Sequence, residues 1–315
     1  MRHKPTLGEI GSNCSAILDA LQQDRARFGL RIFRADCGAE ILLAESDAPE
    51  SAQAGALAAA LCQGGLAEAS EYEDAFGGQM LPFIRAKTDF PRLATLTLQS
   101  AVEFHSVMLS GPVKLHLEQT DEIEYDADPA NESYCAVVQA DSIPEDAWMV
   151  SLADAVCCSP EQLTLLVAPQ KRLLGAAQIS GRMNENMIFT MERSLGLDSN
   201  AVASIEGYAP VCLPGKKTKE GKPLLPDDFL HYGAFSRLTL AQSAGIDPQA
   251  LANDLAFTST DIFGALFFDL LKKADGDFFK IPNLLHINKL AIVEVFDPDS
   301  GKTFRAGSLQ PNILA

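Results

Sequence analysis

Apolar and polar positions recur with two periods along this chain of 315 residues. Leu7, Ile10, Cys14, Ile17, Leu18 and Leu21 fall on one helical face, with Asp19, Gln22 and Asp24 turned away, and predict an amphipathic first helix. Alternation at Leu30–Arg34 predicts a strand, followed by a turn at Cys37-Gly38 and a second strand at Glu40–Ala44. The Ala-rich stretch 52–61 predicts a helix that packs closely, because small side chains let backbones approach. Gln63-Gly64-Gly65 stops it. Strands are expected at 66–72 and 81–86, and Pro91 opens a helix over 93–101.

Past Ser110-Gly111-Pro112 the chain turns acidic (Glu118, Asp121, Glu122, Glu124, Asp126, Asp128), which reads as a solvated helix end and loop. A division falls there, giving domains 1–128 and 129–315, with the C-terminal strands free to return to the first. The second stretch begins with a strand at 135–139 and a helix around 144–156. A continuously apolar run follows at 163–168, the pattern of a strand covered on both faces. A long helix is expected over 170–195, weakened at Gly175 and Gly181. Three prolines, two glycines and Lys216, Lys217, Lys219 and Lys222 mark 213–228 as an exposed loop. A strand at 231–240, helices around Pro248–Leu255 and over 262–273, and strands at 290–296 and 303–307 complete the chain. Asp297-Pro298-Asp299-Ser300-Gly301 turns the last two into a hairpin. The fold class is therefore mixed α/β (α+β), and no internal repeat is visible.

Charge narrows the partners. Lys plus Arg number 25 against 42 Asp plus Glu, a net charge of −17. Nucleic acid and anionic membrane surfaces both require the opposite sign. The apolar runs are too short to span a bilayer, and the N-terminus lacks a signal-peptide core, so a cytoplasmic protein is expected. Seven cysteines include no CxxC pair, and five histidines form no HExxH. The expectation is reduced, mostly buried thiols and no protein-bound metal.

Glycine-rich dinucleotide, P-loop and GxSxG motifs are all absent. The informative segment is Gln178-Ile179-Ser180-Gly181-Arg182-Met183-Asn184-Glu185. Arg182 and Glu185 stand three apart and share a helical face, while Met183, Met187, Ile188 and Met191 face the core. On spacing alone the pair reads as a surface ion pair of little energetic weight.

Separated segments, taken together, change that reading. Cys62-Gln63-Gly64-Gly65-Leu66, Lys87-Thr88-Asp89-Phe90-Pro91, Ser110-Gly111-Pro112 and Leu165-Leu166-Val167-Ala168-Pro169 precede the Gln178–Glu185 segment. Gly207-Tyr208-Ala209-Pro210, Tyr232-Gly233, Asp277-Phe278-Phe279-Lys280-Ile281 and Gly301-Lys302-Thr303-Phe304 follow it. The collinear series resembles the methenyltetrahydromethanopterin cyclohydrolases over nearly the whole chain. That resemblance implies two α/β domains facing each other across a cleft, a homotrimer, and no permanently bound cofactor. It implies a pterin substrate: the cationic methenyl form of tetrahydromethanopterin, interconverted with the N5-formyl form by addition of water. It also implies that Arg182 and Glu185 are the catalytic pair, and that Gly64, Gly65, Asp89, Ser110, Gly111, Pro112 and Gln178 contact substrate.

Each contact residue has a plainer reading too. Gly64-Gly65 can simply end a helix, Ser110-Gly111-Pro112 can be a turn, Cys62 a small buried side chain, Asp89 a helix cap and the lysine loop a solvated face. The chain also departs from the family pattern. Leu225-Pro226-Asp227-Asp228 stands for Arg-Thr-Asn-Asp, and Tyr232-Gly233-Ala234 for Tyr-Gly-Gly. Gly264-Ala265-Leu266-Phe267 stands for Gly-Lys-Pro-Phe, Leu109 precedes Ser110-Gly111-Pro112 in place of Gly, and His286-Ile287-Asn288-Lys289 replaces a Phe-Ser/Ala-Pro-Ala segment. A non-hydrolytic paralogue that binds a pterin intermediate, serving tetrahydromethanopterin biosynthesis, is the alternative these departures raise.

Overall fold

A computed structural model describes residues 3–44, 51–125, 133–277, 280–282, 284 and 287–315. Asp126, Asp128, Phe278, Phe279 and His286, named above, lie outside the described residues. The chain forms two compact units, and each is discontinuous in sequence. The first comprises Met1–Glu68 and Leu93–Gln178, the second Ala69–Arg92 and Ile179–Ala315. The units are thus interleaved along the chain.

In the first unit six strands make a mixed sheet: β1 (Leu30–Arg34), β2 (Glu40–Ala44), β5 (Val102–Phe104), β6 (Val107–Ser110), β7 (Tyr134–Gln139) and β8 (Leu163–Val167), with order β1-β2-β8-β7-β6-β5. β8 pairs in parallel with both β2 and β7, placing it inside the sheet. That position explains its continuously apolar run. One face packs on α4 (Asp146–Ala155) through Met149, Leu152 and Ala153. Helix α1 (Leu7–Gln23) starts on a reciprocal cap: the Thr6 hydroxyl accepts the Glu9 N–H at 3.1 Å, and Glu9 accepts the Thr6 N–H at 2.7 Å. Its predicted face is buried at Leu7, Ile10, Cys14 and Leu21. Helix α2 (Ala52–Cys62) lies against α5 (Leu173–Ser180) so closely that a Cβ on Gly55 would stand 2.3 Å from the Ala177 Cβ. The Ala/Gly composition of α2 is what permits this approach.

In the second unit β3 (Glu68–Phe76), β4 (Gln79–Thr88), β9 (Val202–Pro210), β10 (Phe235–Leu240), β11 (Ile292–Asp297) and β12 (Lys302–Gly307) form the sheet β12-β11-β10-β9-β4-β3. The β11–β12 hairpin closes as expected: Asp297 accepts the N–H groups of Asp299 and Ser300 at 3.1 and 3.3 Å. Strand β9 is not among the predicted elements. Its inward positions Ile205, Gly207 and Ala209 include two residues with almost no apolar signal.

Four other expectations need correction. The helix predicted over 93–101 is a wide π-helical turn, Arg92–Gln99, closed by Ser100 N–H on the Thr95 carbonyl at 2.7 Å. The long helix expected over 170–195 breaks at Gly181-Arg182 into α5, α6 (Met183–Phe189) and a π turn, Thr190–Ser194. Part of the expected lysine loop and strand is helix α7, Pro226–Gly233, with Pro226 at its first position and Asp228 accepting the Leu225 N–H at 2.9 Å. His231 and Tyr232 therefore sit on a helix, and the strand begins at Phe235. Helix α9 spans only Phe267–Lys273, because Gly264-Ala265 is a turn held on the Tyr232 hydroxyl, which accepts the Gly264 N–H at 3.1 Å and donates to the Ala265 carbonyl at 2.6 Å.

Candidate active site

The break between α5 and α6 sets the geometry of the central pair. Arg182 occupies the cap position of α6 (φ −90°, ψ 4°), and its N–H closes a tight turn on the Ile179 carbonyl at 2.9 Å. Glu185 sits three residues on, in the first turn, where a carboxylate also favours the helix dipole. Arg182 Nη1 lies 2.6 Å from Glu185 Oε2, with side-chain exposures of only 10% and 12%. A surface ion pair is thereby ruled out. Withdrawing two charges this far from water is costly, and removing one partner of such a pair typically costs about 3–5 kcal/mol.

The residues between them explain how α6 is seated. Met183 and Asn184 point away from the pair and into the sheet of the second unit. The Asn184 Nδ2 donates to the Ala86 carbonyl of β4 at 2.9 Å, and its Oδ1 accepts the Ser236 hydroxyl of β10 at 2.9 Å. The amide thus spans β9, which lies between those strands. The strand beneath is cleared by Gly207: a Cβ there would stand 2.5 Å from Met183 Cγ and 2.7 Å from Asn184 Oδ1. Met187, Ile188 and Met191 are fully buried, as their spacing predicts. Asn184, Gly207 and Ser236 were not among the residues expected to build the site. Asn184 was within reach, since it lies inside the Arg-x-x-Glu segment.

Helix α7 carries two further carboxylates, Asp227 and Asp228. Asp227 is partly covered, and burial pushes its carboxyl up to about 6, opposed by its own backbone N–H and by the Arg182 guanidinium. Asp228 is fully buried and pushed up to about 7 by burial, opposed by the N–H groups of Phe267 and Leu225 that it accepts at 2.6 and 2.9 Å. It joins α7 to the start of α9. His231 is buried, stacked on Phe257 at 4.1 Å and bonded to the Ile287 carbonyl at 2.8 Å; burial lowers its ring to about 4.

The other expected contact residues fall into two groups. In the first unit, Gly64 and Gly65 follow α2 with φ of +64° and +66°. Both act as the C-terminal stop of α2 and are packed tightly, Gly64 on Leu98 and Gly65 on Asn13. The Ser110-Gly111-Pro112 turn is buried, its Gly111 N–H on the Leu98 carbonyl at 2.9 Å, and a Cβ on Gly111 would stand 3.5 Å from the Leu61 carbonyl oxygen near the end of α2. Gln178 is buried; its Nε2 donates to Cys62 Sγ at 3.4 Å and its Oε1 accepts the Gln139 amide at 3.3 Å. The first unit thus gathers Gly64, Gly65, Ser110, Gly111, Pro112 and Gln178 around the end of α2. Cys14, Cys62, Cys135 and Cys212 are buried, whereas Cys157 is exposed. In the second unit, Asp89 is exposed just past β4 and three residues beyond Ala86. The neighbouring N-cap-like bond comes instead from Thr88, whose hydroxyl accepts the Phe90 N–H at 3.0 Å.

A model of the family described as Cyclohydrolase (MCH) matches residues 10–315. The chain belongs to this cyclohydrolase family. It is 31% identical over 293 residues to a methenyltetrahydromethanopterin cyclohydrolase of Methanothermobacter marburgensis, covering 89% of this chain and 87% of that protein. It is 28% identical over 325 residues to the enzyme of that name from Methanocaldococcus jannaschii, covering 97% and 96%. To that of Methanothermobacter thermautotrophicus it is 29% identical over 323 residues, covering 97% of each. Cyclohydrolases of this family are hydrolases acting on a cyclic amidine. No helix among the described residues is long and apolar enough to cross a membrane.

Proposed function

We propose that this chain is a methenyltetrahydromethanopterin cyclohydrolase, adding water to the methenyl carbon of the cationic substrate and opening the ring to the N5-formyl product. The observation that carries this reading is the ion pair of Arg182 and Glu185, 2.6 Å apart and nearly covered. An amidinium-like cation needs a carboxylate that attracts it and orients or deprotonates the attacking water. Glu185 is that carboxylate. Arg182 fixes its position by a charge-assisted bond and stabilises the oxygen that gains charge in the tetrahedral adduct. Only water and protons move, so no metal or redox cofactor enters the scheme. Pterin contact by Gly64, Gly65, Asp89, Ser110, Gly111, Pro112 and Gln178, assembly as a homotrimer and a cytoplasmic location belong to the same proposal. Loss of the methenyl absorbance on adding purified protein tests it directly.

The second reading is a paralogue that binds a pterin intermediate without hydrolysing it. One observation favours it: the Gly264-Ala265-Leu266 segment, where the family pattern carries a lysine, is a turn sealed onto Tyr232. Under that reading the pterin binds and its methenyl absorbance persists.

A further inference from the structure

Helix α6 and the π turn that follows it bury Met183, Met187, Ile188 and Met191 completely. Three of the four are methionines. Unbranched thioether side chains fill irregular space and adjust to small shifts, so they hold a helix down without fixing its rotation. Polar contacts fix it instead, and they come at both ends. At the start, Asn184 is bonded to the Ala86 carbonyl of β4 and to the Ser236 hydroxyl of β10. At the far end the helix runs on into the π turn without a break. Thr190 keeps helical angles (φ −63°, ψ −42°), and the Leu195 N–H closes on its carbonyl at 3.0 Å. Glu192 sits in that turn, seven residues and about two helical turns beyond Glu185. Its Oε1 accepts Arg92 Nε at 2.7 Å and also the Ser199 hydroxyl. The Thr190 hydroxyl donates to the Asn288 carbonyl. One short segment, from Ala86 in β4 to Arg92 four residues past its end, thus grips the helix twice, at Asn184 and at Glu192.

We propose that the Arg92–Glu192 ion pair sets the rotation of α6 and thereby positions the Arg182–Glu185 pair for the reaction. Arg92 and Glu192 are positioning residues: they act through the helix and not on the reacting atoms. The inference rests on the cyclohydrolase reading.

Small rotations matter here. Side chains of a helix end about 5–6 Å from its axis, so a turn of about 10° carries the Glu185 carboxylate about 1 Å. A misplacement of about that size, caused far from the chemistry, can cost about 10²-fold in rate. The pair is also suited to a test. With side-chain exposures of 31% for Arg92 and 18% for Glu192 it is only partly covered, and partly exposed ion pairs carry little of a fold's stability. Breaking it therefore separates the position of α6 from the integrity of the fold.

The experiment measures kcat and KM for methenyl hydrolysis by the full-length wild type, Arg92→Met, Arg92→Lys, Glu192→Gln and the double variant Arg92→Met with Glu192→Gln. All are assayed below their thermal unfolding transitions. The proposal predicts that Arg92→Met and Glu192→Gln each lower kcat about tenfold and change KM by less than about threefold. Arg92→Lys, which keeps the charge, recovers most of the loss. The double variant is no slower than the slower single one, because either change already opens the clamp. Wild-type kcat in folded Arg92→Met and Glu192→Gln overturns the role and leaves the cyclohydrolase reading intact. A raised KM at unchanged kcat overturns it too, since Arg92 would then bind substrate itself. Losses that multiply in the double variant also overturn it. If Arg92→Met does not fold, Glu192→Gln, which keeps its size, decides by the same kcat and KM criteria. A wild type without turnover overturns the cyclohydrolase reading itself, and this role with it.

Discussion

Asn184 lies so close to Gly207 that a single Cβ on the glycine would stand 2.7 Å from the Asn184 Oδ1. The amide is also held by Ala86 on one side and Ser236 on the other, so it has nowhere to retreat. The start of α6, with Arg182 before Asn184 and Glu185 after it, is seated by this contact.

Gly207→Ala should therefore lift the start of α6 off the sheet. Overpacking of this kind costs about 1–3 kcal/mol. Because the displaced residues flank the ion pair, the loss of turnover should exceed what the lower stability explains. Thermal unfolding and turnover of the variant, measured at a temperature where it stays folded, check this. Wild-type values of both would show that the close approach does not position the pair.

Local chemistry made much of the fold legible. Asp247-Pro248 announces α8 (Pro248–Leu255), and the Asp247 carboxylate does accept the N–H groups of Gln249 and Ala250, at 2.9 and 3.1 Å. The Asp297–Gly301 turn and the apolar run of β8 were equally readable. What escaped depends on distant partners. β9 conceals its inward face behind Gly207 and Ala209, whose smallness makes sense only once α6 is placed on them. β4 is bonded to its sequence neighbour β3 on one side and to the distant β9 on the other, and this second pairing, which draws the 69–92 segment into the second unit, leaves no local trace. The Arg182–Glu185 pair was visible from its spacing, and its burial was not, because cover is supplied by tertiary packing.

His231 sets an acid limit on part of the second unit. Its folded value of about 4 lies below the ordinary 6.5, so its contribution is fully present above 6.5 and is lost as pH falls toward 4. The raised carboxyls of Asp227 and Asp228 run the other way: their contributions are present at low pH and are lost as pH rises through about 6 and about 7. A comparison with His231→Phe isolates the histidine. The stability advantage of wild type over the variant should shrink by about 3 kcal/mol between pH 7 and pH 4. Denaturant unfolding at both pH values measures it, and a pH-independent difference would contradict the burial argument.

Assembly is a separate expectation. The proposed homotrimer has three times the protomer mass of 33.8 kDa, which multi-angle light scattering distinguishes readily. A monomer that persists across micromolar concentrations would sink it.

Arg182 and Glu185 should behave as one device. Arg182→Ala should impair turnover, and combining it with Glu185→Gln should cost little more than Glu185→Gln alone, because the first loss already disables the pair. Additive losses in kcat would mean that the two groups act at separate steps.

The central claim is that Glu185 attracts the cation and handles the water, and Glu185→Gln tests it most directly. The substitution keeps size and hydrogen-bonding capacity but removes the charge and the base. Decay of the methenyl absorbance is followed for wild type and variant side by side, with circular dichroism to establish that both are folded. The account predicts turnover by wild type and a loss on the order of 10²-fold or more in the variant. A folded Glu185→Gln protein that hydrolyses the methenyl substrate at the wild-type rate would contradict it.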